Sequence, residues 1–356
     1  MKTGRTLMDL AAEIQRQAEA KKDYLADTRK LSFRAADGDN PATRIVMDGV
    51  NGGMTLRASA HGQMAAALQI PKPYYDRMLA EQPDLLATNV NRWLHVQPAR
   101  KMIRTLDGQV RAVLSDSYRP LDNLDLAEAV LPHLKKLEAR VESCEVTDSR
   151  FYLKAVTERI QGEVKKGDVV QAGLVISNSE IGMGSLRVEA LDFRLVCLNG
   201  MIREAAIRKA HLGRGGSRGD DAIEDAREFF RDETRVADDR AFFLKVQDAT
   251  ASMFDQKRFD VRIEQYKEAG DRKITGDPAA VIEVVSDRYQ LNNGERKSVL
   301  RHLIEGGDLS SWGLANAITR TAQDAELTYD RATELEAFGG KVIELSKHDW
   351  QSANAV

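Results

Sequence analysis

The sequence predicts an α+β protein with a mainly antiparallel central sheet, helices packed on one face of it, and a C-terminal helical module. Three observations predict this. Arg150 to Met201 holds three runs rich in β-branched and aromatic residues, separated by turn-formers, which is the pattern of a sheet. The order from Lys101 onward is two strands, a helix and four strands, which excludes a βαβ repeat. From Asp221 to the C-terminus the apolar residues recur at helical spacing. A chain of 356 residues has room for more than one core, and three regions are expected. Residues 1–100 read as an arm helix with a small α+β region, 101–220 as a β-rich centre, and 221–356 as the helical module.

Taken in order, Leu7, Leu10, Ala11, Ile14 and Ala18 sit at helical spacing behind Thr6 and Asp9, which resemble a capping box. This first helix, read over residues 6–25, is either an arm that docks on a neighbouring subunit or an ordinary packing helix. Leu31 to Arg34, Thr43 to Met47 and Met54 to Ala58 read as short strands, with Asn51-Gly52-Gly53 as the tight turn. Helical runs follow around Met64, after Pro73 and after Pro83. The Tyr74–Tyr75 pair and Trp93 read first as core residues and second as base-stacking residues. Lys101 to Leu106 and Gln109 to Ser115 form a hairpin about Asp107-Gly108. A helix after Asp122 contains Pro132, where a kink or restart is expected.

In the central runs, Phe151, Leu153 and Ala155 alternate with Arg150, Tyr152 and Lys154, giving one apolar and one polar face. The last run slips phase. Leu186, Val188 and Ala190 are followed by Leu191, Phe193 and Leu195, so a β-bulge is expected near Ala190 and Leu191. Its polar side carries Arg187, Glu189, Asp192 and Arg194. With helices on one side only, the opposite face is a candidate binding surface.

Hydrophobic content of 42% with 30% charged residues fits a soluble globular protein. No run reaches the roughly 18 apolar residues that a membrane span needs. The N-terminus turns polar too early for a signal peptide, and Cys144 and Cys197 read as buried thiols of a reducing cytoplasm. The net charge of −3 is unevenly spread, with a mildly basic first 220 residues and an acidic tail. Residues 203–219 form a glycine-rich basic loop without the spacing of a phosphate-binding loop. It is read either as a grip on phosphates or as a solvated linker.

Catalytic motifs are missing. The six histidines have no metal-ligand spacing, and neither a nucleophile elbow nor a dinucleotide fingerprint occurs. No cofactor is implied. Four separated segments nevertheless carry a resemblance: Val110-Arg-Ala-Val-Leu-Ser-Asp-Ser-Tyr-Arg-Pro-Leu-Asp122, Ser177-Asn-Ser-Glu-Ile-Gly-Met-Gly-Ser-Leu186, Arg194-Leu-Val-Cys-Leu-Asn-Gly200 and Trp312-Gly-Leu-Ala-Asn-Ala-Ile-Thr319. Together they resemble the phage/plasmid-like family catalogued as domain of unknown function 932. The resemblance implies a phage, plasmid or other mobile-element setting near DNA-processing genes, and it brings no catalytic residues with it.

The expectation that joins these lines is a cytoplasmic, homo-oligomeric protein that binds single-stranded DNA, in the manner of an annealing or recombination protein without catalytic chemistry. Arg104, Arg111, Arg119, Arg150, Lys154, Arg187 and Arg194 would contact phosphates, Tyr118 and Tyr152 would stack on bases, and Arg208, Lys209, Arg214 and Arg218 would clamp the strand. Two alternatives stand beside it. One is a metal-dependent nucleic-acid enzyme using Asp116, Asp122, Glu180 or Asp192. The other is a protein-binding inhibitor of host defence.

Overall fold

A computed structural model describes residues 1–38, 40–209 and 232–355, without the side chains at 204–209, 232–236 and 239. Among the described residues it has twelve α-helices and three antiparallel sheets, an α+β fold with a C-terminal helical module.

The N-terminal helix α1 (Leu7–Ala20) is capped by Thr6, whose hydroxyl oxygen accepts from the Asp9 N–H at 3.1 Å. It ends earlier than its spacing suggests. Lys21–Asp27 is strand β1, which pairs antiparallel with the hairpin strand β5 (Arg100–Leu106). The hairpin partner is β6 (Gln109–Ser115), and the turn residues Asp107 and Gly108 take φ values of 53° and 74°. Positive φ at both turn residues is the condition for a two-residue hairpin loop.

The strands β2 (Leu31–Arg34), β3 (Arg44–Met47) and β4 (Gly53–Thr55) form a second sheet. Helices α2 (Ala58–Ala67), α3 (Lys72–Glu81) and α4 (Pro83–Val96) close over it. One core joins Phe33, Ile45, Met64, Tyr75, Leu86 and Val90 to Ile103, Val110 and Val113 of the hairpin. The hairpin thus packs into the N-terminal core, and the division expected at residue 100 runs through continuous packing.

The five-stranded sheet has the order β11-β10-β9-β8-β7. Its strands are β7 (Arg140–Val146), β8 (Phe151–Glu163), β9 (Val169–Asn178), β10 (Leu186–Arg194) and β11 (Asn199–Lys209). Helix α5 (Asn123–Lys136) precedes it and is continuous through Pro132. The C-terminal helices are α6 (Asp232–Met253), α7 (Gln256–Asp271), α8 (Pro278–Tyr289), α9 (Asn293–Gly306), α10 (Ser311–Thr321), α11 (Tyr329–Ile343) and α12 (Lys347–Asn354).

Helices cover both faces of this sheet, not one. On the first face Phe151, Leu153, Ala155, Leu174, Ile176, Leu186, Val188 and Ala190 pack with Leu10 of α1, Leu126 and Val130 of α5, and Val246 of α6. On the second, Val156, Val175, Leu191 and Phe193 pack with Ile202 of β11 and Ala337 of α11.

The double cover explains the phase slip in β10. Residues 187–194 pair with 177–170 of β9 without interruption, so no residue is inserted in β10 on that side. Its apolar residues change phase because they change face, from the α5/α6 side to the α11 side, and both faces are dry. The irregular register lies in the pairing with β11, where Val188 to Leu191 of β10 oppose Ile207 to Ile202.

Both thiols are free, Cys144 buried and Cys197 half-buried, and burial pushes the Cys144 thiol up to about 11. No helix among the described residues is long and apolar enough to cross a membrane.

Candidate nucleic-acid interface

Burial decides the fate of the cations expected on an open sheet face. Arg104 is 0% exposed and sits among Asp23 (2.8 Å), Asp122 (3.1 Å) and the Glu180 carbonyl oxygen (2.6 Å). Arg111 donates to Glu180 Oε2 at 2.5 Å, and Glu180 Oε1 accepts from the Asn123 N–H at 2.7 Å. Lys21 Nζ completes the cluster 2.5 Å from Asp122 Oδ2. Three cations and three carboxylates share this site, so it is charge-balanced and has no attraction left for a phosphate.

Lys154 lies on the second sheet face under α11, bonded to Glu336 (2.6 Å) and Thr333 (3.0 Å) and 4.7 Å above the Tyr329 ring. Tyr152 is buried, with its ring centroid 5.3 Å from that of Tyr329. Tyr118 is buried too and donates to the Ser179 carbonyl oxygen at 3.3 Å. Neither ring is open to a base. Arg194 is forked on Asp168 at 2.5 and 2.9 Å and stacks 5.7 Å from the Trp312 ring.

The remaining expected contacts are nearer the surface but scattered. Arg119 pairs with Asp238 of α6 at 2.8 Å, Arg150 donates to the Met183 carbonyl oxygen at 2.9 Å, and Arg187 lies 3.6 Å from Glu189. Arg208 and Lys209 belong to β11, and their side chains lie outside the described residues, as Arg214 and Arg218 do entirely. Among the described residues the expected surface does not form: α11 covers Tyr152 and Lys154, Trp312 of α10 and Asp168 hold Arg194, and Arg104 and Arg111 are paired in the hairpin cluster.

The carboxylates weighed as metal ligands are similarly engaged. Asp122 holds Lys21 and Arg104, Glu180 holds Arg111, and Asp192 is forked by Arg262 at 2.8 and 3.0 Å and bonded by the Tyr266 hydroxyl. Asp116 is exposed. Among the described residues no group of three or more His, Cys, Asp or Glu side chains is arranged to hold a metal ion.

An uncompensated basic surface lies elsewhere, along α4. From Leu85 to Leu106 the chain has no acidic residue, and it has none from Thr28 to Arg34. These two stretches run side by side. The Asn91 side chain holds both backbone groups of Phe33, at 2.7 and 2.8 Å. The His95 ring nitrogens face the carbonyl oxygens of Asn91 (2.7 Å) and Arg29 (3.2 Å), and the Thr28 hydroxyl donates to the Leu94 carbonyl oxygen at 2.8 Å.

Lys30 and Arg34 on one of these stretches, and Arg92 and Arg100 on the other, are exposed and without an ion-pair partner among the described residues. Arg29 stands beside them, bonded to Asp27 at 2.6 Å. Along these stretches Asp27, Asp48 (whose N–H bonds the Lys30 carbonyl oxygen at 3.1 Å) and Asp84 in the first turn of α4 stand against Arg29, Lys30, Arg34, Arg92 and Arg100, so cations outnumber carboxylates.

At about 100° per residue the faces of α4 separate cleanly. Leu86, Val90 and Leu94 meet the core, and Asn91 and His95 meet the 28–34 stretch. Asn89 and Trp93 line a cleft on the other flank, with Arg92 on the ridge between. The acid-free stretch around α4 was the sequence signal for this face. Helical spacing alone identified it as one more packing helix.

The four motif segments serve assembly. Residues 110–122 and 177–186 meet through Arg111–Glu180 and Tyr118–Ser179. Residues 194–200 and 312–319 meet where Asn199 Nδ2 donates to Asn316 Oδ1 (3.1 Å) and Thr319 Oγ1 (2.5 Å). The two junctions sit at opposite ends of β9 and β10, and each ties a loop of the sheet to a neighbouring element.

No curated protein matches the chain, and no solved structure does. Residues 111–336 match a family whose description is Domain of unknown function (DUF932), a span that takes in both junctions and leaves the α4 face outside it. On that match, which covers more than half of the chain, the protein belongs to the DUF932 family.

Proposed function

We propose that the protein binds single-stranded nucleic acid across the α4 face, with phosphates on Lys30, Arg34, Arg92 and Arg100. The observation that carries this reading is that two adjoining stretches bear four exposed cations with no ion-pair partner among the described residues. The cations of the interior are matched by carboxylates instead. A charge that is already paired gains little from a phosphate, whereas an unpaired exposed one releases counterions from the nucleic acid on binding. On the other flank of α4, past Arg92, Tyr74 (52% exposed) and Trp93 (41%) present ring surface, which favours unpaired bases over a duplex.

The test is binding of labelled single- and double-stranded oligonucleotides across a salt series. Log affinity for single strands is expected to fall linearly with log salt, by about 0.7 per phosphate neutralised. Reversing the charge of Lys30, Arg34, Arg92 and Arg100 together should abolish binding. A flat salt response, or undiminished binding by that variant, overturns the reading.

A further inference from the structure

Between the turn that joins α2 to α3 and the flank of α4 lies a cleft of about 300 Å³, lined by Leu68, Gln69, Ile70, Pro71, Tyr74, Asn89, Trp93 and Gln97. We infer that this cleft receives one unpaired nucleobase of a bound strand and reads its hydrogen-bonding edge with side-chain amides. The inference rests on the proposed single-strand binding and assigns the base-recognition site within it.

Size is the first argument. Small-molecule sites run from roughly 300 to 1,000 Å³, so this one is at the small end, suited to a single base and too small for a stacked pair. Chemistry is the second. The lining holds no carboxylate, ammonium or guanidinium group, so it suits the neutral part of a ligand, while the cations lie outside it. Arg92 precedes Trp93 on the same helix, which sets a phosphate contact next to a ring.

The polar complement of the lining is more telling. Gln69 and Gln97 are exposed and Asn89 is half-buried, and none of their side-chain amides hydrogen-bonds another described residue. Their neighbours Gln63 and Asn91 are by contrast both committed to backbone groups, at 2.6–2.8 Å. Each free amide offers a donor beside an acceptor, the pattern with which Asn and Gln meet a base edge bidentately.

Gln69 also occupies a left-handed position, φ 57°, just past the end of α2, a place that helices ordinarily fill with glycine. A glycine there would relieve the backbone and remove one amide from the cleft. Two large rings left half-exposed beside three unspent amides make a surface with both stacking and pairing capacity.

The experiment uses the intrinsic fluorescence of the full-length chain. Trp312 and Trp350 are 2% and 4% exposed, so a contact-dependent change reports Trp93. A short single-stranded oligonucleotide is expected to quench the emission, and an abasic oligonucleotide of equal length to bind about ten-fold more weakly without quenching, a difference in keeping with the loss of one base–aromatic stack. Asn89→Leu, which leaves both rings in place, should weaken the normal oligonucleotide and leave the abasic one unchanged.

Equal binding of the two oligonucleotides with Trp93 unquenched, while the salt dependence persists, overturns the cleft assignment and leaves the basic face standing. Failure of both oligonucleotides to bind overturns both readings. Quenching by a proline-rich peptide but by no oligonucleotide assigns the cleft to a peptide and overturns the inference as well.

Discussion

Lys154 and Glu336 form an ion pair at 2.6 Å, with both side chains 0% exposed, between the middle of the five-stranded sheet and helix α11. Desolvating two charges costs much of what their attraction returns, so such a pair is a weak source of stability and a strong constraint on partner choice. Glu336 Oε1 has no hydrogen-bond partner among the described residues, which leaves the carboxylate under-solvated. Lys154→Met should cost about 3–5 kcal/mol by stranding a buried charge. Replacing both residues, as Lys154→Met with Glu336→Leu, should recover most of that loss. Urea unfolding of the three variants checks it. A double variant no more stable than Lys154→Met would show that the pair itself holds α11 down.

Exposed and buried arginines should answer different assays. Arg92→Ala removes a solvent-facing cation and should reduce the salt slope of oligonucleotide binding by about 0.7 without shifting the melting temperature. Arg194→Met breaks the fork on Asp168 under Trp312 and should lower the melting temperature. It should leave the salt slope of the folded protein unchanged. Reversed results would return the binding surface to the sheet.

The contrast between these two arginines marks what the chain disclosed in advance. Alternation in Phe151 to Ala155 identified the strand and its apolar face, and Asp107-Gly108 identified the hairpin, because both signals are local. The destiny of the polar face was not local. Tyr152 and Lys154 meet residues more than 170 positions away in α11, and nothing in the strand announces that a helix bearing Glu336 will cover it. Strand β1 was hidden for a related reason. Lys21 to Asp27 continues a helix-compatible stretch, and only pairing with the distant β5 makes it extended. Trp93 was visible as an aromatic residue on a helix, but its exposure follows from Asn91 being spent on β2, a tertiary contact.

Acid should weaken the N-terminal core through His61. This ring is buried, its nitrogens against the Thr43 hydroxyl at 3.0 Å and the Tyr75 hydroxyl at 2.9 Å. Burial, with a smaller push from Lys72, holds its pKa below the usual value of 6.5. The unfolded chain therefore binds a proton before the folded one does, so stability rises with pH in this window. The contribution is fully present above pH 6.5 and is lost as pH falls through the depressed folded value. Paired carboxylates such as Glu13, held at about 2, give way only in stronger acid. His61→Gln should start less stable at neutral pH and lose less between pH 7 and pH 5. Parallel melting curves of the two proteins would refute the assignment.

Two helical glycines should respond oppositely to alanine. A Cβ on Gly340 of α11 would lie 2.0 Å from the Ile202 carbonyl oxygen of β11, and one on the adjacent Gly339 would lie 2.3 Å from Thr319 Cγ2 of α10. Both neighbours of α11 approach it through these positions, and the Arg203 guanidinium fixes the contact by donating to the Gly340 carbonyl oxygen at 2.9 Å. A backbone oxygen inside a sheet cannot move aside as a side chain does. Gly340→Ala should therefore destabilise by about 1–3 kcal/mol from overpacking, more than the ~1 kcal/mol that alanine gains in helix propensity. Gly270 of α7 has nothing within 4 Å of the same added atom. There the propensity term acts alone, and Gly270→Ala should stabilise by roughly 0.5–1 kcal/mol. Equal shifts in the urea midpoints of the two variants would mean that α11 does not dock on β11 at this distance.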